Sequence, residues 1–138
     1  MAAKSDLTDL FVLDHSARAN AENRRAFIQQ AVDNNECYVF RQDGELEAYF
    51  VFNYRFFGNG FLEMIYVKEG LRGNGIGSAI LDYIETLCEK EKLFTSTNQS
   101  NDRMQGLMAK KNFVRSGIIE NLDEGDPEII YFKKLDRH

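Results

Sequence analysis

A chain of 138 residues with 43% hydrophobic side chains, 28% charged side chains and one proline is long enough to bury one core and too short for separate cofactor and substrate domains. Its composition also excludes a disordered or low-complexity segment. The formal charge of −5 argues against a nucleic-acid surface, which needs lysine and arginine in excess on one face, and suits a cationic substrate better.

The longest apolar run, Ala48 to Phe52, is far below bilayer-spanning length, and Met1 to Asp6 lacks the apolar core of a signal peptide. The reading is therefore one cytoplasmic domain over residues 1–138, without a membrane partner, folding alone or as a small oligomer such as a homodimer. Cys37 and Cys88 have neither metal-ligand nor redox spacing, so both are expected to be reduced core thiols, and no metal is expected.

Leu10 to Leu13 reads as a short apolar strand. From Ser16 to Val32 the set Ala17, Ala21, Ile28, Ala31 and Val32 falls near helical spacing, giving one helix or two with a kink. Cys37–Phe40 and Glu47–Tyr54 are rich in aromatic and branched residues and flank Asp43-Gly44, the pattern of an antiparallel hairpin. A turn at Gly58-Asn59-Gly60 leads into Phe61 to Val67, an almost unbroken apolar run suited to a strand covered on both faces, with Glu63 its one charge.

Positions Ile76, Ala79, Ile80, Tyr83, Ile84, Leu87 and Cys88 follow the i, i+3, i+4 rule and predict a three-turn helix. Leu93–Thr97 is a strand, Asn101–Lys111 a helix with Met104, Leu107 and Met108 inward, Phe113–Ile119 a strand and Glu128–Phe132 the last one. This order predicts an α/β (α+β) fold.

Arg72-Gly73-Asn74-Gly75-Ile76-Gly77-Ser78 lies between the apolar strand and the three-turn helix. Glycines let the backbone turn tightly and bring its N–H groups close to a ligand. The helix N-terminus adds free donors and partial positive charge, together an anion site suited to a pyrophosphate, to which Arg72 adds a charge-assisted contact. No Gly-Lys-Ser/Thr follows, and Gly-x-Gly-x-Gly is not the dinucleotide fingerprint. A nucleoside triphosphatase and a dehydrogenase are thereby disfavoured. Taken alone, the loop is also open to a plain structural turn.

Arg72 to Gly77 matches the Arg/Gln-x-x-Gly-x-Gly/Ala signature of the GNAT superfamily of acetyl-CoA-dependent N-acetyltransferases, and Glu63 to Val67 resembles the strand that precedes it. Asn101 to Phe113 resembles the family's later helix and the strand after it. The resemblance implies a mostly antiparallel mixed sheet of about seven strands flanked by helices, splayed between the fourth and fifth strands, with acetyl-CoA as co-substrate and a small-molecule or protein amine as acceptor. It implies that Arg72, Gly73, Asn74, Gly75, Ile76, Gly77 and Ser78 hold the pyrophosphate. It also implies that the backbone of Ile65, Tyr66 and Val67 lies along the cofactor, with Val67 stabilising the oxyanion of acyl transfer.

Glu63 shares a strand face with Phe61, Ile65 and Val67 by alternation. It is the candidate base, through water, for an ammonium substrate; the other reading is a paired structural carboxylate. Asn101 stands where the family often contacts the cofactor arm, and it is equally an apt helix cap. Met108 stands on the cofactor side where the family usually has a tyrosine that protonates the departing thiolate, so the sequence lacks that acid; Met108 is otherwise core. This departure keeps open an acyl-CoA-binding sensor or regulatory protein with little catalysis. Asn112 replaces a glycine, which asparagine's tolerance of left-handed backbone permits. Five carboxylates between Glu120 and Glu128 form an acidic turn that could draw a cationic amine or be a solvated loop. Neither His15, a surface or capping residue, nor His138 reads as a catalyst.

Overall fold

A computed structural model describes residues 1–19 and 21–136, so His138 lies outside the described residues. Helices α1 (Leu7–Leu13), α2 (His15–Arg18) and α3 (Glu22–Asp33) precede strands β1 (Cys37–Gln42), β2 (Glu45–Phe56) and β3 (Asn59–Val67). There follow α4 (Ile76–Leu87), β4 (Lys92–Asn98), α5 (Asp102–Lys110), β5 (Val114–Ile119) and β6 (Glu128–Lys134). The strands form one sheet in the order β1-β2-β3-β4-β6-β5. The β1–β2, β4–β6 and β5–β6 pairs are antiparallel and β3–β4 is parallel, so the mixed, mostly antiparallel α/β architecture expected from the sequence is present.

Among the described residues there are six strands rather than about seven, and the expected strand at Leu10–Leu13 is instead the C-terminal half of α1. A four-residue apolar run does not distinguish strand from helix. Here Leu10 and Leu13 are buried, three residues apart on one helical face, whereas Val12 is exposed.

By its contacts the chain divides into two compact units, Met1–Phe52 with Met64–Ile76, and Asn53–Glu63 with Gly77 onward. In the first unit α2 and α3 realise the kinked alternative of the helical stretch. Leu10, Ala17, Ile28, Val32, Cys37, Tyr49 and Val51 make its core, with Met64 and Tyr66 packed against it. Asp43 and Gly44 take φ of 53° and 81°, the two left-handed residues a tight hairpin turn requires, and β1 pairs with β2 across it. Burial pushes the Cys37 thiol up to about 12, the behaviour of an inert core thiol.

In the second unit Leu62, Ile80, Leu81, Ile84, Cys88, Leu93, Met108 and Ile129 are buried. Phe56, Phe61, Phe94 and Phe132 form a run of rings with centroids 4.9 to 5.2 Å apart. The inner face of α4 carries Ile80, Leu81 and Ile84, whereas Tyr83, expected inside, is exposed; the face is turned by about one residue. The turn before β3 centres on Phe57 and Gly58, with φ of 55° and 78°, so Asn59 and Gly60 already belong to the strand. Helix α5 ends with Asn112 at φ 67°, as its tolerance of that geometry allows. Its N–H reaches the Ala109 carbonyl and that of Phe113 the Met108 carbonyl, a Schellman closure.

Candidate active site

The loop after β3 depends on its glycines. Gly73 and Gly75 have φ of 90° and 83°, a region costly for residues with a Cβ, and a Cβ built on either would meet nothing within 4 Å. The backbone here faces open space rather than packed protein. The third glycine of the motif has another reason: a Cβ on Gly77 would sit 3.1 Å from Leu107 Cδ2, so Gly77 lets α4 approach α5. Arg72, Gly73, Asn74 and Gly75 are exposed, and Ile76, Gly77 and Ser78 in the first turn of α4 are half-buried.

Within the first unit Arg72 is tethered at two points. Its Nε donates to the Val67 carbonyl at 3.0 Å, and its guanidinium lies 5.1 Å from the centroid of the Tyr66 ring. Ile65, Tyr66 and Val67 are half-buried at the end of β3. Parallel pairing of β3 with β4 includes Gly60↔Leu93, Phe61↔Phe94 and Leu62↔Thr95, and β4 pairs with β6 as far as Asn98.

Within the second unit Glu63 sits in a polar setting rather than in the apolar strip that strand alternation suggests. Its Oε1 accepts a hydrogen bond from Asn53 Nδ2 at 2.9 Å and lies 3.5 Å from Arg55 Nη2, and the side chain is 31% exposed. Asn53 is itself held, its Oδ1 accepting from the Arg55 N–H at 2.9 Å. The carboxylate is thus oriented through one oxygen, an arrangement that suits accepting a proton from solvent or from a bound molecule.

Asn101 caps α5: its Oδ1 accepts from the Met104 N–H at 3.1 Å. Met108 is 0% exposed, a packing position that supplies no proton donor. Of the five carboxylates in the acidic turn, three hold the turn in shape. Asp126 accepts from the Ser100 N–H and Oγ, Asp123 from Asn98, and Glu128 from Ser96.

The residues that sequence reasoning missed are Asp14, Arg24 and Tyr49, all in the first unit. Asp14 is 0% exposed. It accepts from Tyr49 Oη at 2.6 Å, from Arg24 Nη1 at 2.7 Å and from the Ala17 N–H at 3.1 Å. Burial alone would raise its pKa, but the hydrogen bonds from Tyr49, Ala17 and Arg24 outweigh it and hold the carboxyl below its ordinary range. The same arrangement, with desolvation first, drives the Tyr49 phenol well above its usual value. Asp14, not His15, is the cap of α2. The signal was present, since aspartate is favoured just before a helix, but nothing local told that it would be buried. His15 stays on the surface, with Nδ1 3.5 Å from Glu69 Oε1.

The family model of the Acetyltransferase (GNAT) family matches residues 4–113. An acetyltransferase of the GNAT family from Bacillus cereus ATCC 10987 is 36% identical, with 99% of this chain and 95% of that chain covered and a TM-score of 0.87. An N-acetyltransferase from Staphylococcus aureus Mu50 is 22% identical over 98% of this chain and 96% of that one, with a TM-score of 0.73. A ribosomal-protein-alanine N-acetyltransferase from Brucella melitensis is 19% identical over 97% of each chain, with a TM-score of 0.74; at such identities the last two likenesses concern the fold alone. No curated protein matches. Glycine loop, six-stranded sheet and family match agree, and the chain belongs to the GNAT family of acetyltransferases and is a transferase enzyme.

Proposed function

We propose that this enzyme transfers an acetyl group from acetyl-CoA to a primary amine, both bound together, in the cytoplasm. The observation that carries the reading is the loop at Gly73 and Gly75, turned through left-handed geometry with open space over it and running straight into α4. Such a junction fits a pyrophosphate, and Arg72 to Ser78 would hold it, with Arg72 adding positive charge. When bound, acetyl-CoA would supply an acetyl thioester whose carbon the amine nitrogen could attack, C–N forming as C–S breaks, with the sulfur leaving as the CoA thiolate and taking its proton from water.

This chain's own residues do the rest. The N–H groups near Val67 stabilise the negative charge that develops on the carbonyl oxygen. Glu63, oriented by Asn53, takes the proton of the ammonium through water. The formal charge of −5 favours approach of a cationic small molecule or a protein amine. Asn101, its Oδ1 engaged in the cap, has its amide to offer the cofactor arm.

The second reading, an acyl-CoA-binding regulator with little catalysis, is favoured by one observation: position 108 holds a fully buried methionine with no proton for the departing thiolate. Calorimetric titration with acetyl-CoA tests binding, and release of free thiol across a panel of amines tests transfer. The enzyme reading expects both signals. Binding without thiol release on any amine would favour the regulator, and absence of binding would sink both.

A further inference from the structure

Tyr66, half-buried one residue before Val67, makes contacts within the first unit that converge on Arg72. Its ring is stacked with that of Tyr49, centroids 5.9 Å apart and planes 17° from parallel. Its hydroxyl accepts from the His15 N–H at 2.9 Å, so both ring and hydroxyl are held. Tyr49 in turn donates to Asp14, which Arg24 and the Ala17 N–H also hold. A rigid run of contacts therefore leads from the buried carboxylate to the Tyr66 ring, against which the Arg72 guanidinium lies at 5.1 Å.

With Nε given to the Val67 carbonyl at 3.0 Å, the two terminal nitrogens of this exposed arginine have no hydrogen-bond partner among the described residues and can donate to a ligand. An arginine on a glycine loop has much rotamer freedom to lose when it engages an anion. One already laid on a ring and tied to a carbonyl has lost most of it before the ligand arrives, which strengthens binding without a new contact.

We propose that Tyr66 is a positioning residue for the cofactor, presetting Arg72 for the phosphate-bearing end of an acyl-CoA. This rests on the reading that Arg72 to Ser78 hold the pyrophosphate. Nothing in the glycine motif itself points to Tyr66: the motif begins six residues later, and the link is made by the side-chain stack. The role is one of geometry, so it belongs to the ring. The hydroxyl contributes only through His15.

The experiment measures the dissociation constant of CoA by calorimetry for the wild type, Tyr66→Leu, Arg72→Gln and the double variant, with pantetheine, which lacks the phosphates, as the second probe. Tyr66→Leu is expected to weaken CoA about tenfold, from the loss of the cation–ring contact and of preorganisation, with pantetheine unchanged. The double variant should bind CoA no worse than Arg72→Gln alone, because the two residues act as one unit. Tyr66→Phe, which keeps the ring, should stay within about twofold of the wild type. Unchanged CoA binding in Tyr66→Leu overturns the proposal. So does additivity in the double variant, or an equal loss for pantetheine, which would mark a general disruption of the fold. Wild-type protein that takes up no CoA would overturn the pyrophosphate reading itself and this role with it.

Discussion

Asp14 in the first unit and Glu63 in the second are both carboxylates that follow a leucine in sequence, yet they come to opposite ends. Asp14 is 0% exposed and takes hydrogen bonds from a phenol, a guanidinium and a backbone N–H. Glu63 is 31% exposed, and its two described contacts, from Asn53 and Arg55, both fall on Oε1. A carboxylate whose acceptors are filled and whose access to water is closed can only anchor. One that is oriented through a single oxygen and still meets solvent can exchange a proton. Burial and saturation, not residue type, separate the anchor from the proposed base.

The sharpest way to break that contrast is to delete each group and read stability and turnover separately. Asp14→Ala leaves Arg24 and Tyr49 without their shared partner and should lower unfolding free energy by about 3–5 kcal/mol, measured by urea denaturation; a loss below about 1 kcal/mol would mean the network is dispensable. Glu63→Gln should instead lower turnover about 10²-fold, with CoA affinity and melting temperature nearly unchanged. Weaker CoA binding at full turnover would remove Glu63 from the role of base.

The buried carboxylate should also show itself in acid. The fold holds Asp14 below its ordinary 3.8, so the unfolded chain binds more protons there. The stabilisation is complete above that value and is lost as pH falls through the lowered folded value. Asp14→Asn, less stable at neutral pH, should therefore lose less on further acidification than the wild type, and equal acid limbs in denaturation curves would contradict this. Asn53→Ala removes the amide that orients Glu63 and should cost about tenfold in turnover, the worth of one hydrogen bond to a charged group. A rate equal to the wild type's would show that Glu63 needs no such support. The smallest effect is expected at Asn101→Ala, about 1 kcal/mol of stability from the lost α5 cap.

Periodic elements were legible because their signal is local. The Asp43-Gly44 hairpin and the Met108-bearing helix follow from residue type and spacing, the left-handed Asn112 exit from the family resemblance, and the structure has all three. The short Leu10–Leu13 run was not legible, since four apolar residues fit strand and helix alike until a neighbour's core chooses between them. The face of α4 slipped for a related reason: Ala79, Ile80, Leu81, Tyr83 and Ile84 offer several overlapping apolar faces, and packing selects the one with Leu81 inside.

The sequence by itself determined the glycine loop and the helix behind it and, read with the blocks before and after them, the resemblance to the family, because such patterns are written in contiguous residues. Tertiary structure alone decided that Gly77 serves the packing of Leu107, that Glu63 is held by Asn53, and that Asp14, thirty-five residues from Tyr49, anchors the side on which Arg72 rests. Those contacts join distant positions, and whether a carboxylate is buried and what satisfies it is settled only when the chain has closed around it.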